Sequence, residues 1–535
     1  MASPKNSVDV IVIGSGAGGG VIAKELGEAG LEVIVLEAGK RFHPYDDYPT
    51  HATDFEVRAG SVLMANDARR DRYTTPRAKP FNYYRVKGVG GSTLIYHAMS
   101  PRFHESDFRV RSEDGVADDW PLSYAELEPY YTRVEYELGV SGPNGAEANP
   151  FEPPRSEPYP TPPHDLNLAS RTIKRGADKL GLHLVREPLA IPTRDWNGRP
   201  ACINSGTCSL GCKISAKSSI DVTYIPKAER TGKVNIRTQC MARKITVGPN
   251  GRTRSVISFD HKGHEDETFA RVIVVAGNAV ETPRLLLLSR SRLFPDGLAN
   301  SCGLVGKRFM EHLSAFAYGV FPERLDPWRG VPTGGIIQDF YATNPNNGFV
   351  RGYTISVEND SQWPLATANC IRGWGFEHKV RMKEIFGHRV GLATEGEQLP
   401  DERNQVSLDP AVRDNYGLPV PLIINTRFQN DLAMIDAFSA RLREILQAAG
   451  AREITVGNAI PGISAHYLGT CRMGKDPRTS VVDPWCRTHD VPNLFIGDGS
   501  VFVTGAAVNP ALTISALATR TAEGIIAAFR RGDFP

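Results

Sequence analysis

Short runs of β-branched residues, each closed by a glycine turn and followed by an amphipathic or apolar stretch, recur along this chain. The first, Asp9-Val-Ile-Val-Ile13, is apolar at consecutive rather than alternate positions, the pattern of a strand buried on both faces of a parallel sheet. Gly14-Ser-Gly16-Ala-Gly18-Gly19 follows at once, then a helical pattern through Val21, Ile22 and Leu26 that ends near Gly30. Glu32-Val-Ile-Val-Leu36 predicts a second strand with Glu37 at its carboxyl end, so the three pieces read as a βαβ unit. Arg271-Val-Ile-Val-Val275 predicts another doubly buried strand, running into Ala276-Gly277-Asn278 and a helix from Pro283 to Ser289. Asn493-Leu-Phe-Ile496 repeats the arrangement before Gly497-Asp498-Gly499 and a long apolar helix from about Pro510.

Units of this kind at both ends of the sequence predict an α/β, Rossmann-like nucleotide domain that is discontinuous, formed by residues 1–312 and 461–535 with 101–200 as an insertion or extension. Residues 313–460 are left to form an α+β substrate-binding domain, in which Phe349–Val357 and Pro419–Asn425 read as strands. Ser123 with Glu126 three residues on is a capping box, and the stripe Tyr124, Leu127, Tyr131, Val134 and Leu138 predicts a helix to Leu138. The proline-rich stretch 142–164 predicts an extended surface segment, read as a linker.

Composition narrows the partners. The chain has 62 Lys and Arg against 60 Asp and Glu, a formal charge of +2, which gives no electrostatic reason to expect nucleic acid or anionic lipid. With 535 residues and 41% hydrophobic content it can bury a large core. Eight cysteines without even spacing are no disulfide framework. Residues 1–8 carry no signal-peptide core, and no uninterrupted apolar run approaches a membrane span, so the expectation is a soluble, cytoplasmic protein acting on a small ligand.

The turn Gly14-x-Gly16-x-x-Gly19 allows backbone to approach a pyrophosphate at a helix N-terminus, where unpaired N–H groups and the helix dipole favour negative charge. Glu37, 23 residues beyond Gly14, is placed to accept a ribose hydroxyl and disfavours a 2′-phosphate, leaving FAD or NAD. Cys202, Cys208 and Cys212 are spaced C-x5-C-x3-C. Three thiolates with no histidine in the loop are too few for a closed zinc site, and no metal ligand set is assigned.

Seven blocks together resemble the glucose-methanol-choline (GMC) family of flavoprotein oxidoreductases. They are Gly14–Gly39, Val89-Gly90-Gly91-Ser92-Thr93, Gly277–Ser289, Val305–His312, His466–Gly474 and the pair Asn493–Asp498 with Asn509-Pro510-Ala-Leu-Thr513, in family order over almost the whole chain. The resemblance implies FAD. It implies that His466 takes the proton of a substrate hydroxyl while hydride leaves for the flavin, with Asn509 orienting that hydroxyl. It places Gly90, Gly91, Ser92, Asp498 and Pro510 with Gly14, Gly16, Gly19 and Glu37 around the cofactor. Ile95 stands where some members carry a histidine bonded to the flavin, so FAD is expected to be non-covalent.

The likeness is nearest to the sugar-oxidising branches: pyranose oxidases, glycoside 3-oxidases and the glucose and gluconate dehydrogenases. It implies oxidation of a secondary hydroxyl of a pyranose or glycoside to the ketone, or of the anomeric hydroxyl to a lactone, with dioxygen, a quinone or another acceptor taking the electrons. Gln338, followed by Asp339, is expected to hydrogen-bond a sugar. The cysteine loop resembles an iron–sulfur loop of related dehydrogenases, although Lys213 replaces a usual proline. A cluster at Cys202, Cys208 and Cys212 and three reduced, packed thiols therefore stand as alternatives. Other readings left open are an alcohol or choline-type oxidoreductase and, from another class, a lyase on the same fold.

Overall fold

The computed structural model describes residues 7–48, 71–359, 364–369 and 371–534. Residues 1–6, part of the N-terminal stretch read above for a leader, lie outside them.

A seven-stranded sheet is built around β1 (Ser7–Ile13). β2 (Val33–Leu36) and β7 (Glu265–Val275) flank it in parallel, and β4 (Val234–Arg237) pairs with β2. β18 (Leu494–Ile496) lies parallel to the carboxyl half of β7. β6 (Thr253–Phe259) takes the amino half of β7 antiparallel, and β5 (Met241–Val247) closes that edge. The eleven residues of β7 are what let it serve both neighbours on one side. Val10, Ile11, Val12 and Val272 to Val275 are fully buried, as the unbroken apolar runs require.

The helix Gly19–Glu28 and the helix Ala511–Arg531 pack together on this sheet, and Tyr124–Leu138 packs against the latter. Ala511–Arg531 is long and apolar enough to cross a membrane by length and composition alone, with mean hydropathy 1.2, and 67% of its most apolar window is buried inside the fold. Ser123 caps Tyr124–Leu138 by accepting from Glu126 N at 3.3 Å while the Glu126 carboxylate accepts from Ser123 N at 2.8 Å. The helix after β7 runs Asn278–Leu288 and starts earlier than Pro283, because the Asn278 side chain accepts from Val280 N and Glu281 N and so caps the first turn.

A second sheet has the order β16 (Glu453–Val456), β10 (Phe316–Val320), β13 (Arg389–Glu397), β12 (Tyr353–Glu358), β11 (Thr333–Ile337) and β3 (Leu184–Val185), all antiparallel, with β9 (His312–Leu313) on the end of β13. Helices Gln429–Ala449 and Leu168–Lys179 bury Phe438, Leu442 and Ile173 with Leu392 of this sheet, so a strand and a helix from before residue 313 join the second core. β12 begins later than Phe349 because the chain turns at Arg351, at φ +66°. The guanidinium of Arg351 is held there by Glu397 at 2.6 Å, Asp114 at 2.9 Å and Asp107. β15 (Pro419–Ile424), β14 (Gln405–Arg413), β8 (Lys307–Met310) and β17 (Leu468–Thr470) form a third, four-stranded sheet.

Stretch 142–164 holds no regular element beyond the short turn Gly145–Glu147, as its prolines predict. It is anchored rather than free, since Tyr124 Oη donates to the Pro154 carbonyl at 2.6 Å and Ser156 N donates to Glu128 at 3.0 Å.

Candidate active site

The carboxyl ends of β1, β2, β7 and β18 open into one cavity of about 680 Å³, whose opposite wall is the second sheet. That is where an open parallel sheet leaves a crevice for a ligand, and the volume lies in the range of cofactor and substrate pockets. Gly14, Gly16, Gly91, Ser92 and Asp498 line it together with His466, Asn509 and Pro510.

At two of its three positions the glycine turn is packed against backbone. Gly14 sits at φ +97°, and a Cβ there would lie 2.4 Å from the Ala276 carbonyl oxygen; a Cβ at Gly19 would lie 2.0 Å from the Gly14 carbonyl oxygen. Gly16 differs. An added Cβ would meet nothing nearer than the Gly91 Cα at 3.8 Å, so the protein itself leaves room there, at the cavity wall. Glu37 binds the turn directly: its carboxylate accepts from Ser15 Oγ at 2.6 Å, Ser15 N at 3.1 Å and Gly39 N at 2.8 Å. Burial pushes this carboxyl up from its ordinary range, against the pull of those three hydrogen bonds. Gly90, at φ +103°, donates its N–H to Ser15 Oγ at 3.2 Å and so docks the second glycine turn on the first. Ser92 Oγ accepts from Val86 N at 3.3 Å.

Asp498 organises the ends of two strands. One oxygen accepts from Ser500 N at 2.9 Å and the other from Asn278 N at 2.9 Å and Thr282 Oγ1 at 2.5 Å, and burial raises its carboxyl above the usual range. Arg85, which the sequence did not single out, also lines the cavity; it is buried, and its Nε and Nη1 make no hydrogen bond among the described residues. Orphaned guanidinium donors, a helix N-terminus and a methyl-sized space at Gly16 are the features an anionic dinucleotide would use, so the residues present fit FAD.

His466 and Asn509 come together as the spacing alone cannot show. Asn509 Nδ2 lies 3.4 Å from His466 Nε2. Behind His466 stand two groups that sequence reasoning missed. His466 Nδ1 is 3.0 Å from His312 Nδ1 and 3.3 Å from Glu395 Oε2, while His312 Nδ1 is 3.5 Å from the same oxygen. His312 Nε2 reaches the Gly505 carbonyl at 3.0 Å. Burial works against the Glu395 carboxylate, yet the two imidazoles outweigh it and bring it to about 2, so this group is ionised at neutral pH. His466 is lowered by burial and by His312 and His97, against the pull of Glu395; His312 ends raised because Glu395 and the Gly505 carbonyl overcome its burial.

Glu395 belongs to a cavity wall formed by one face of three central strands. Phe316 of β10, Ser356 and Glu358 of β12, and Ala393 and Glu395 of β13 line the cavity at the two-residue spacing of a strand face. His97 also lines it, 3.9 Å from Glu358. Gln338, expected to touch substrate, stands away from this cavity. It follows β11, next to the edge strand β3, borders a separate small cleft and takes the Asn149 side chain; Asp339 accepts from His183. Strand alternation in β12 and β13 was the available signal for this cavity wall, and the acid pair Glu395 and Glu397 marked β13.

The three clustered thiols do meet. Cys202, Cys208 and Cys212 border one small cavity of about 10 Å³, where the Asn204 N–H points at Cys202 Sγ and the Lys217 N–H at Cys212 Sγ. The volume as it stands suits a water.

Comparison with known proteins gives the same picture over the full length. Two family models, both described as GMC oxidoreductase, match residues 8–314 and 400–518. The chain is 35% identical to 2-methyl-1,2-propanediol dehydrogenase from Mycolicibacterium austroafricanum, over 98% of this chain and 96% of that one. It is 31% identical to the fructose dehydrogenase large subunit of Gluconobacter japonicus, over 99% and 100%. Among solved structures it resembles pyridoxine 4-oxidase from Mesorbium loti, with a TM-score of 0.65 at 18% identity, covering 97% of this chain and 99% of that one.

Proposed function

The chain belongs to the GMC oxidoreductases, FAD enzymes acting on CH–OH groups, and on that footing we propose that it oxidises a secondary hydroxyl of a pyranose or glycoside to the ketone. The observation that carries this reading is the polar wall that β12 gives the cavity. Ser356 and Glu358 line it from one strand face beside His97, and the buried Ser356 Oγ makes no hydrogen bond among the described residues, so a substrate hydroxyl would satisfy it where a hydrocarbon chain would not. The likeness to the fructose dehydrogenase large subunit supports it; the likeness to a dehydrogenase of a small diol supports a second reading, a non-sugar alcohol.

FAD, when bound, supplies the hydride acceptor. The chain does the rest. The Gly14–Gly19 turn and Arg85 would hold the anionic part of the cofactor, and Ile95, in place of a histidine, leaves that holding non-covalent. Asn509 Nδ2 and His466 Nε2, 3.4 Å apart and both on the cavity, bracket a position where one hydroxyl oxygen is in reach of each. There the amide orients the oxygen and the imidazole takes its proton, so the carbon–hydrogen bond is broken from an alkoxide-like donor.

Anaerobic mixing of the holoenzyme with glucose, aryl glycosides and 2-methyl-1,2-propanediol, followed in the visible flavin absorbance, tests the substrate class. Bleaching by a sugar faster than by the diol is the expected result, and bleaching by the diol alone would replace this reading with the second. Admitting air then separates dioxygen from a quinone or other acceptor by how fast the colour returns.

Glu37→Ala should weaken FAD retention by about tenfold or more, since hydrogen bonds to a charged group contribute ~1.5–3 kcal/mol and this carboxylate makes two to Ser15 in the glycine turn and one to Gly39 N. Flavin fluorescence released on dilution measures it. The rate of flavin reduction in the fraction still loaded should stay within about twofold, because effects of well-separated sites add.

A further inference from the structure

We propose that His312 and Glu395 are positioning residues that complete the base: they present His466 with a bare Nε2 and take over the positive charge once that nitrogen binds the substrate proton. The inference rests on His466 being the base, and on nothing about which alcohol is oxidised.

The tautomer follows from the two ends of a chain of contacts. The Gly505 carbonyl can only accept, so His312 Nε2 carries a hydrogen and, in the neutral ring, His312 Nδ1 has a lone pair. That lone pair faces His466 Nδ1 at 3.0 Å, which must then be the N–H. His466 Nε2 is left bare, and the Asn509 amide nitrogen, a donor, lies against it at 3.4 Å. Both ends demand the same arrangement.

Charge follows the same path. When Nε2 accepts the substrate proton, the Nδ1 proton of His466 moves to His312 Nδ1, whose Nε2–H stays on Gly505. One proton enters, one is passed on, and a single positive charge ends on His312, 3.5 Å from the Glu395 carboxylate. Ser314 Oγ donates to that same carboxylate oxygen at 3.2 Å and holds it between the rings. Burial lowers both imidazoles, but His312 is the ring that ends raised, so it is the better resting place for the proton. The other charged groups facing the pair are Glu397 of β13, Glu311 beside His312, and His97 across the cavity.

The working form is the one without the extra proton. Activity is therefore full above the raised value of His312 and is lost as pH falls through it, so the acid limb of flavin reduction should lie above the ordinary imidazole value of 6.5. Glu395→Gln removes the cause of the rise. The limb should move to lower pH by about one unit or more, and the plateau should fall by at least about tenfold, with FAD content unchanged. Glu311 and Glu397 titrate in both proteins, so the difference between the limbs belongs to Glu395.

A second measurement does not depend on the substrate or on Glu395→Gln. Long-range 1H–15N spectra of the histidine-labelled, FAD-loaded wild type, with His466 assigned by its absence in His466→Asn, should show Nδ1 protonated and Nε2 bare above the limb. A protonated Nε2 there, or a Glu395→Gln limb that coincides with wild type, would overturn the proposal. Normal flavin reduction in His466→Ala would instead remove the reading of His466 as base.

Discussion

His466→Ala is expected to slow reduction of the flavin by on the order of 10²-fold or more, the usual cost of losing a positioned general base, while the purified protein keeps its FAD. The two halves of that statement come from different parts of the structure. His466 contacts Asn509, His312 and Glu395, and makes no hydrogen bond to the Gly14–Gly19 turn or to Glu37. Removing the ring therefore takes away the proton acceptor and leaves the dinucleotide cradle intact. Asn509 remains and still orients the hydroxyl, so a residual rate should persist. What should vanish is the acid limb, since the group whose protonation shuts off wild-type activity is disconnected from the substrate. Anaerobic stopped-flow mixing at several pH values reads both quantities, and reduction at near wild-type speed would move the base elsewhere, Glu358 and His97 being further proton acceptors on the cavity wall.

The dinucleotide half was legible because its determinants are local. A doubly buried strand, a glycine turn, a helix and an acid lie within 31 residues from Ser7 to Glu37, and Glu37 and Ser15 of that stretch hydrogen-bond each other directly, while the contacts of Gly14 with Ala276 and of Gly18 with Gly497 join distant segments. The capping box at Ser123 was legible for the same reason. The opposite cavity wall was not, because it is made by register between strands far apart in sequence: Ser356 opposes Ala393, and Phe316 opposes Ala393 from the other side. No local pattern states that pairing. Gln338 was chosen for its chemistry, and a polar pair after an apolar run says nothing about which face of which sheet it joins. His312 closed a block with family likeness, yet its partner Glu395 lies 83 residues on and reaches it only through the end-to-end pairing of β9 with β13. Arg351 illustrates a third kind of omission. Three carboxylates fix one guanidinium and bend the chain into a left-handed turn, and that outcome depends on tertiary placement of Asp107 and Asp114 rather than on the strand pattern around it.

Gly18→Ala should be among the most damaging single substitutions in the chain, and Gly16→Ala, two residues away, should leave the fold intact. Backbone conformation does not separate them, because Gly18 has φ −96°, open to any residue. Space does. A Cβ at Gly18 would lie 1.6 Å from the Gly497 carbonyl oxygen and 2.8 Å from its carbon, which are backbone atoms at the end of β18 and cannot rotate away. The first βα turn and the β18 turn must then separate, and Asp498, the next residue, would be drawn off Asn278 and Thr282, the bonds that tie β18 to the helix after β7. Overpacking of a close-packed interior costs about 1–3 kcal/mol and more where backbone has to move, so the expected result is a large fall in melting temperature with little or no bound flavin. At Gly16 the nearest atom is 3.8 Å from the added carbon, an ordinary contact, so the apoprotein should melt within a few degrees of wild type. Its flavin content should nonetheless drop sharply, because the space a methyl would fill opens on the cavity at the turn proposed to receive the pyrophosphate. Melting curves and flavin-to-protein absorbance ratios for the two variants separate a glycine required by the protein from one required by its cofactor. Equal flavin content in Gly16→Ala and wild type would mean that the pyrophosphate lies elsewhere in the cavity.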